Sequence, residues 1–155
     1  MRLYTPQGYS GRVSAAVRAP LHCLTGCAIG EILGMVLATA LGLGGVASIA
    51  LAVALAFVFG YGLTALSLRR AGLSLRRALR TALAADTVTI GTMEVVDNAF
   101  VALVPGALAA GLDDGLFWWS LLASLAVAFV LTVPVNAWLI ARGRGHAVHH
   151  HVHAH

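Results

Sequence analysis

Two long apolar stretches dominate the chain. The first runs from Cys23 to Leu68 and holds one charge, Glu31. The second runs from Ala82 to Ala141 and holds only acids: Asp86, Glu94, Asp97, Asp113 and Asp114. Each is at least about twice the ~20 residues that cross a bilayer once as a helix. Glycine-rich or acidic breaks fall near the middle of each, at residues 42–45 and 111–115. The pattern predicts an all-α membrane protein with four transmembrane helices arranged as two helical hairpins. The predicted spans lie near residues 22–42, 46–67, 84–105 and 116–139.

Composition supports this reading. Apolar residues make up 59% of the 155 and charged residues 10%, against about 25% charged in an average soluble chain. So little charge cannot cover a soluble domain with so large an apolar fraction. The net charge of +4 raises the question of nucleic acid, which the positions of the charges answer. All the basic residues other than His are Arg, in three groups: Arg2, Arg12 and Arg18; Arg69, Arg70, Arg76, Arg77 and Arg80; Arg142 and Arg144. Four spans place all three groups on one side, and the two turns on the other side carry none. Under the positive-inside rule both termini are then cytoplasmic. Topology accounts for the basic balance, and no basic-aromatic patch remains to favour nucleic acid.

The organisation expected is a cytoplasmic lead-in at 1–20, a four-helix transmembrane domain at 21–141 and a His-rich cytoplasmic tail at 142–155. The lead-in lacks the 7–15-residue apolar core of a secretory signal. Trp118 and Trp119 follow the second outer turn, where aromatic rings anchor at the lipid interface.

The sequence also allows a parallel internal repeat. Ala56-Phe57-Val58 matches Ala128-Phe129-Val130, and Thr64, Ala65 and Arg70 fall on Asn136, Ala137 and Arg142. Ahead of them Glu31 falls on Glu94, Cys23 on Asp86 and Gly34 on Asp97, while Cys27 falls on the apolar Ile90. The register sets Glu31 and Glu94 at one depth.

The acids are the informative residues. An acidic side chain at the bilayer centre costs about 2.5–3.5 kcal/mol on insertion scales, and such residues pair, line cavities or mark ion paths. Glu31, Asp86, Glu94 and Asp97 all lie within predicted spans. Cys23, Cys27 and Glu31 repeat every fourth residue and form one stripe on the first span, with His22 beside its cytoplasmic end. Glu31 is about 13 Å deeper than His22 along a helix, near the middle of the hydrocarbon core. Gly26, Gly30 and Gly34 form an adjoining small-residue stripe that allows close helix approach. On the third span Thr87, Gly91, Glu94 and Asn98 follow one helical face, and Asp86, Ile90, Met93 and Asp97 the next. On the fourth, Asn136 follows Pro134, which frees a backbone carbonyl.

Thiols, imidazole and carboxylates together suit a transition metal, copper or zinc. The spacing matches no standard zinc motif, and thiols at i and i+4 on one helix do not suit a disulfide. The tail adds His146, His149, His150, His151, His153 and His155, a density that binds metal ions. The candidate metal residues are His22, Cys23, Cys27, Glu31, Asp86, Glu94, Asp97, Asn98, His146 and His149.

The blocks His22-Cys23-Leu24-Thr25-Gly26-Cys27-Ala28-Ile29-Gly30-Glu31, Asp86-Thr87, Met93-Glu94-Val95-Val96-Asp97-Asn98, Pro134-Val135-Asn136 and Arg142-Gly143-Arg144-Gly145-His146-Ala147 resemble the signature of a bacterial multi-pass membrane family, domain of unknown function family 4396. The resemblance covers about residues 20 to 150. It implies a membrane location, here the bacterial inner membrane, and assigns no activity. Three functions fit the residues: binding or transport of a transition-metal ion, an intramembrane metalloenzyme or redox protein, and a proton- or cation-coupled carrier without metal. Four spans are few for a transport path, so a homo-oligomer is expected. Expected partners are the lipid bilayer and a metal ion.

Overall fold

The computed structural model describes residues 7–142. Among them the chain is helical and has no strand: α1 (Gln7–Ala40), α2 (Val46–Arg70), α3 (Leu75–Leu103) and α4 (Gly115–Ala141), with a 3-10 turn at Ala107–Ala109 before α4. Three helical segments are long and apolar enough to cross a membrane: Leu21–Ala40, Val46–Arg70 and Gly115–Leu139. α3 has 29 residues, ample length for a crossing at 1.5 Å per residue. Its Arg-bearing start and its acids keep it outside that apolar class.

Two boundaries differ from the sequence pattern. α1 continues without a break from Gln7 through residue 20, where a lead-in meets the apolar segment. α3 begins at Leu75, ahead of the expected position 84. Arg76, Arg77 and Arg80 are good helix formers, so the helix extends past the end of the apolar pattern.

α1 and α2 run antiparallel at close range. A Cβ on Gly26 would lie 2.6 Å from Gly60 Cα, and one on Gly34 would lie 2.5 Å from Ala52 Cα. A Cβ on Gly30 would overlap the backbone N and Cα of Ala56. Residue numbers fall on α2 as they rise on α1, and the missing side chains let the two backbones touch. The bundle core joins all four helices through Cys23, Cys27, Ala56, Ile90, Met93, Phe117, Leu121, Leu125 and Ala128. Ile90 fills the hollow at Gly60, where an added Cβ would sit 2.6 Å from its Cδ1.

The outer surface is apolar: Val58, Val95, Leu122 and Val130 are each more than three-fifths exposed. That suits lipid as the surrounding solvent, since lipid chains impose no penalty on exposed apolar side chains. Trp118 and Trp119 are exposed near one end of α4 and Trp138 near the other. Twenty residues separate Trp118 from Trp138, about 30 Å of helix, equal to the thickness of a hydrocarbon core. Trp118 Nε1 donates to Leu112 O at 2.9 Å, and the Arg142 guanidinium lies 4.0 Å over the Trp138 ring.

Candidate intramembrane site

α1 and α3 meet through their polar stripes. Cys23 lies against Asp86, Cys27 against Glu94 with Glu31 nearby, and Glu31 against Asp97 with Glu94 nearby. Numbers rise together on both helices, so α1 and α3 run in the same direction. The fourfold spacing of Cys23, Cys27 and Glu31 puts each one helical turn beyond the last. The result is a ladder of three rungs: thiol with carboxyl, thiol with carboxyl, then carboxyl with carboxyl.

The ladder is deeply buried. Cys23 and Asp86 are wholly buried, and Glu31, Glu94 and Asp97 are 7%, 4% and 5% exposed. Neither carboxyl oxygen of Glu31 or Glu94 reaches a hydrogen bond of normal geometry, nor does Oδ1 of Asp97. Among the described residues their neighbours are one another, the thiols and Ser124, with no basic side chain among them. An isolated carboxylate transferred to an apolar interior is very costly. Three carboxyl groups in one such interior therefore need a proton or a metal cation to share the space.

The expected residues divide into three sets. Cys23, Cys27, Glu31, Asp86, Glu94 and Asp97 are brought together. His22 and Asn98 are not. His22 is exposed although Cys23 beside it is wholly buried; one step along a helix turns the side chain by about 100°. Asn98 is half-buried and its Nδ2 donates to Glu94 O at 2.8 Å, so its amide serves its own helix. His146 and His149 lie outside the described residues.

α4 contributes groups that its apolar sequence conceals. Ser120, Ser124, Thr132 and Asn136 are buried, and Ser124 lies beside Asp97. Their spacing in multiples of four, through Ala128, marks one helix face and is the signal that finds them. Ser120 and Ser124 also donate to backbone carbonyls, Leu116 O at 2.7 Å and Leu121 O at 2.9 Å. Thr64 on α2 and Thr89 on α3 are buried too.

The ladder brings ligand atoms together in pairs. Among the described residues no group of three or more His, Cys, Asp or Glu side chains is placed to hold one metal ion.

These features define a helical membrane protein with an acid-and-thiol stripe in its interior. The chain belongs to the family described as Domain of unknown function (DUF4396), which matches residues 14–145. No curated protein and no solved structure matches the chain.

Proposed function

We propose that this protein carries a transition-metal ion, copper or zinc, through the membrane along the α1–α3 ladder. In this reading α3 is the fourth span and the helices form two hairpins. Both termini face the cytoplasm of a bacterial inner membrane. The ion is cargo. The His-rich tail, with His146 and His149, gathers it at the inner mouth. Cys23 with Asp86 and Cys27 with Glu94 pass it on, and Glu31 with Asp97 receives it near the midplane.

One observation carries the reading: two thiols and four carboxyl groups share an apolar interior, and among the described residues no basic side chain lies beside Glu31, Glu94 or Asp97. Thiolates favour soft ions and carboxylates harder ones, so a ladder holding both suits a borderline or soft metal cation. Paired rungs suit passage better than permanent storage, because conduction requires each site to bind weakly enough to release. The common direction of α1 and α3, with Glu31 near Glu94, supports the parallel repeat. A homo-oligomer supplies the enclosed path that four helices lack.

The test is metal analysis and vesicle flux on the purified full chain, supplied with Cu(I) or Zn(II). Stoichiometric metal together with flux is expected. A second reading, a proton- or cation-coupled carrier without metal, is favoured by the absence of a three-ligand cluster among the described residues. Failure of both metals to bind or move, with pH-dependent uptake of another solute persisting in chelator, overturns the metal reading and selects the second.

A further inference from the structure

The α2–α3 turn carries a second feature, outside the ladder and independent of it. Arg69, Arg70, Arg76, Arg77 and Arg80 fall within twelve residues, and no acidic residue lies between Glu31 and Asp86. All five Arg are exposed. Setting topology requires only charge near the membrane. Here the charge is also held in a fixed shape.

The backbone of the turn is locked. Gly72 takes the left-handed conformation, with φ of 95°. Its N–H donates to Arg69 O at 3.0 Å, and Leu73 N–H donates to Leu68 O at 3.1 Å. This pair of bonds is the Schellman helix stop, which satisfies carbonyls left over at the helix end. Leu68 and Leu73 pack together on buried Ala65, Ala78 and Ala82, so the turn is pinned to the ends of both helices. α3 then starts at once and presents a groove of about 400 Å³ lined by Ser74, Arg76, Arg77, Arg80, Thr81 and Ala84. Three guanidinium groups and two hydroxyls border it. Farther along the helix, Leu83 and Val88 are exposed apolar side chains.

Guanidinium groups bind phosphate oxygens in pairs, and hydroxyls add donors. A basic pocket at the end of a membrane helix, with an apolar wall beyond it, matches a phospholipid: phosphate outside, acyl chain inside. Basic pockets at this level take anionic headgroups. We propose that the groove formed by Ser74, Arg76, Arg77, Arg80 and Thr81 binds the phosphate of an anionic phospholipid headgroup.

The test is native mass spectrometry of the full chain released from nanodiscs of equal phosphatidylglycerol and phosphatidylcholine. Nanodiscs remove any effect of insertion orientation. About tenfold or greater preferential retention of phosphatidylglycerol is expected, since each Arg near an anionic surface adds to the attraction. The combined change Arg76→Gln, Arg77→Gln and Arg80→Gln should abolish the preference, while Arg142→Gln should leave it. Equal retention of the two lipids by the unaltered chain overturns the proposal even if the triple variant does not fold. So does an undiminished preference in a folded triple variant. Displacement of the lipid by millimolar inorganic phosphate overturns it as well, because the groove would then be a free-phosphate site.

Discussion

α1 meets two neighbours in opposite ways. Toward α2 it presents Gly26, Gly30 and Gly34, and the contact is backbone against backbone. Toward α3 it presents Cys23, Cys27 and Glu31, and the contact is polar, with the carboxyl oxygens of Glu31 and Glu94 reaching no hydrogen bond of normal geometry. The first contact has no slack in shape and no chemistry. The second has chemistry that packing does not require. Lipid supplies no hydrophobic force to hold helices together, so fit must do so. The α1–α2 side meets that need, which frees the α1–α3 side to keep groups that a purely structural interface would exclude. Stability and function should therefore separate when the two sides are altered in turn.

The largest stability loss should come from Gly30→Ala. The new Cβ would meet Ala56 N, Ala56 Cα and Leu55 C, all backbone atoms that no rotamer change can move aside. The cost should be about 1–3 kcal/mol or more, read as a lowered midpoint in reversible detergent unfolding of the purified chain. Adding Ala56→Gly should not restore it, because the obstruction is not the Ala56 side chain. Full rescue by that second change would show that the helices are not in backbone contact at Gly30.

On the other side the order reverses. Glu31→Gln keeps size and removes the ability to ionise, and among the described residues Glu31 has no basic neighbour to lose. Stability should move by less than about 1 kcal/mol, because the large cost of breaking a buried ion pair comes from the partner charge left behind, and this substitution leaves none. Metal affinity should fall by more than the roughly tenfold that loss of an outer-shell partner alone produces. Cys27→Ser should weaken Cu(I) more than Zn(II), since it removes the softer donor. Metal content unchanged by either substitution breaks the proposed division of labour. A large stability loss without metal loss makes the acids structural.

Much of this arrangement was legible in the chain, and the failures have physical causes. α2 and α4 announce themselves by apolar runs, and the break at residues 42–45 by glycines, of which Gly42 and Gly45 take positive φ. The fourfold spacing of Cys23, Cys27 and Glu31 identified one rail of the ladder, because a helix repeats on that period. The pairing of Glu31 with Asp97 is tertiary and required the fold. His22 stays outside the buried ladder because sequence adjacency on a helix separates directions. Ser124 was hidden because serine is ordinary in membrane helices and its hydroxyl can satisfy its own backbone. The early start of α3 was hidden because charged helix formers carry no apolar signal.

The smallest expected effect sharpens the comparison from within α2. Gly60 and Gly62 are two residues apart on the same helix, yet a Cβ at Gly60 meets Ile90 while one at Gly62 meets nothing within 4 Å. Glycine in a helix interior costs about 0.5–1 kcal/mol relative to alanine, through backbone freedom lost on folding. Gly62→Ala should therefore leave metal binding unchanged and raise stability by at most that amount. Gly60→Ala should lower stability, because Ile90 would have to leave the hollow it fills. Unfolding midpoints of the two variants, measured side by side, test the claim that α2 uses its glycines only on the faces turned toward α1 and α3. A loss at Gly62 equal to that at Gly60 would mean that another surface, such as a second copy of the chain, lies against Gly62 in the membrane.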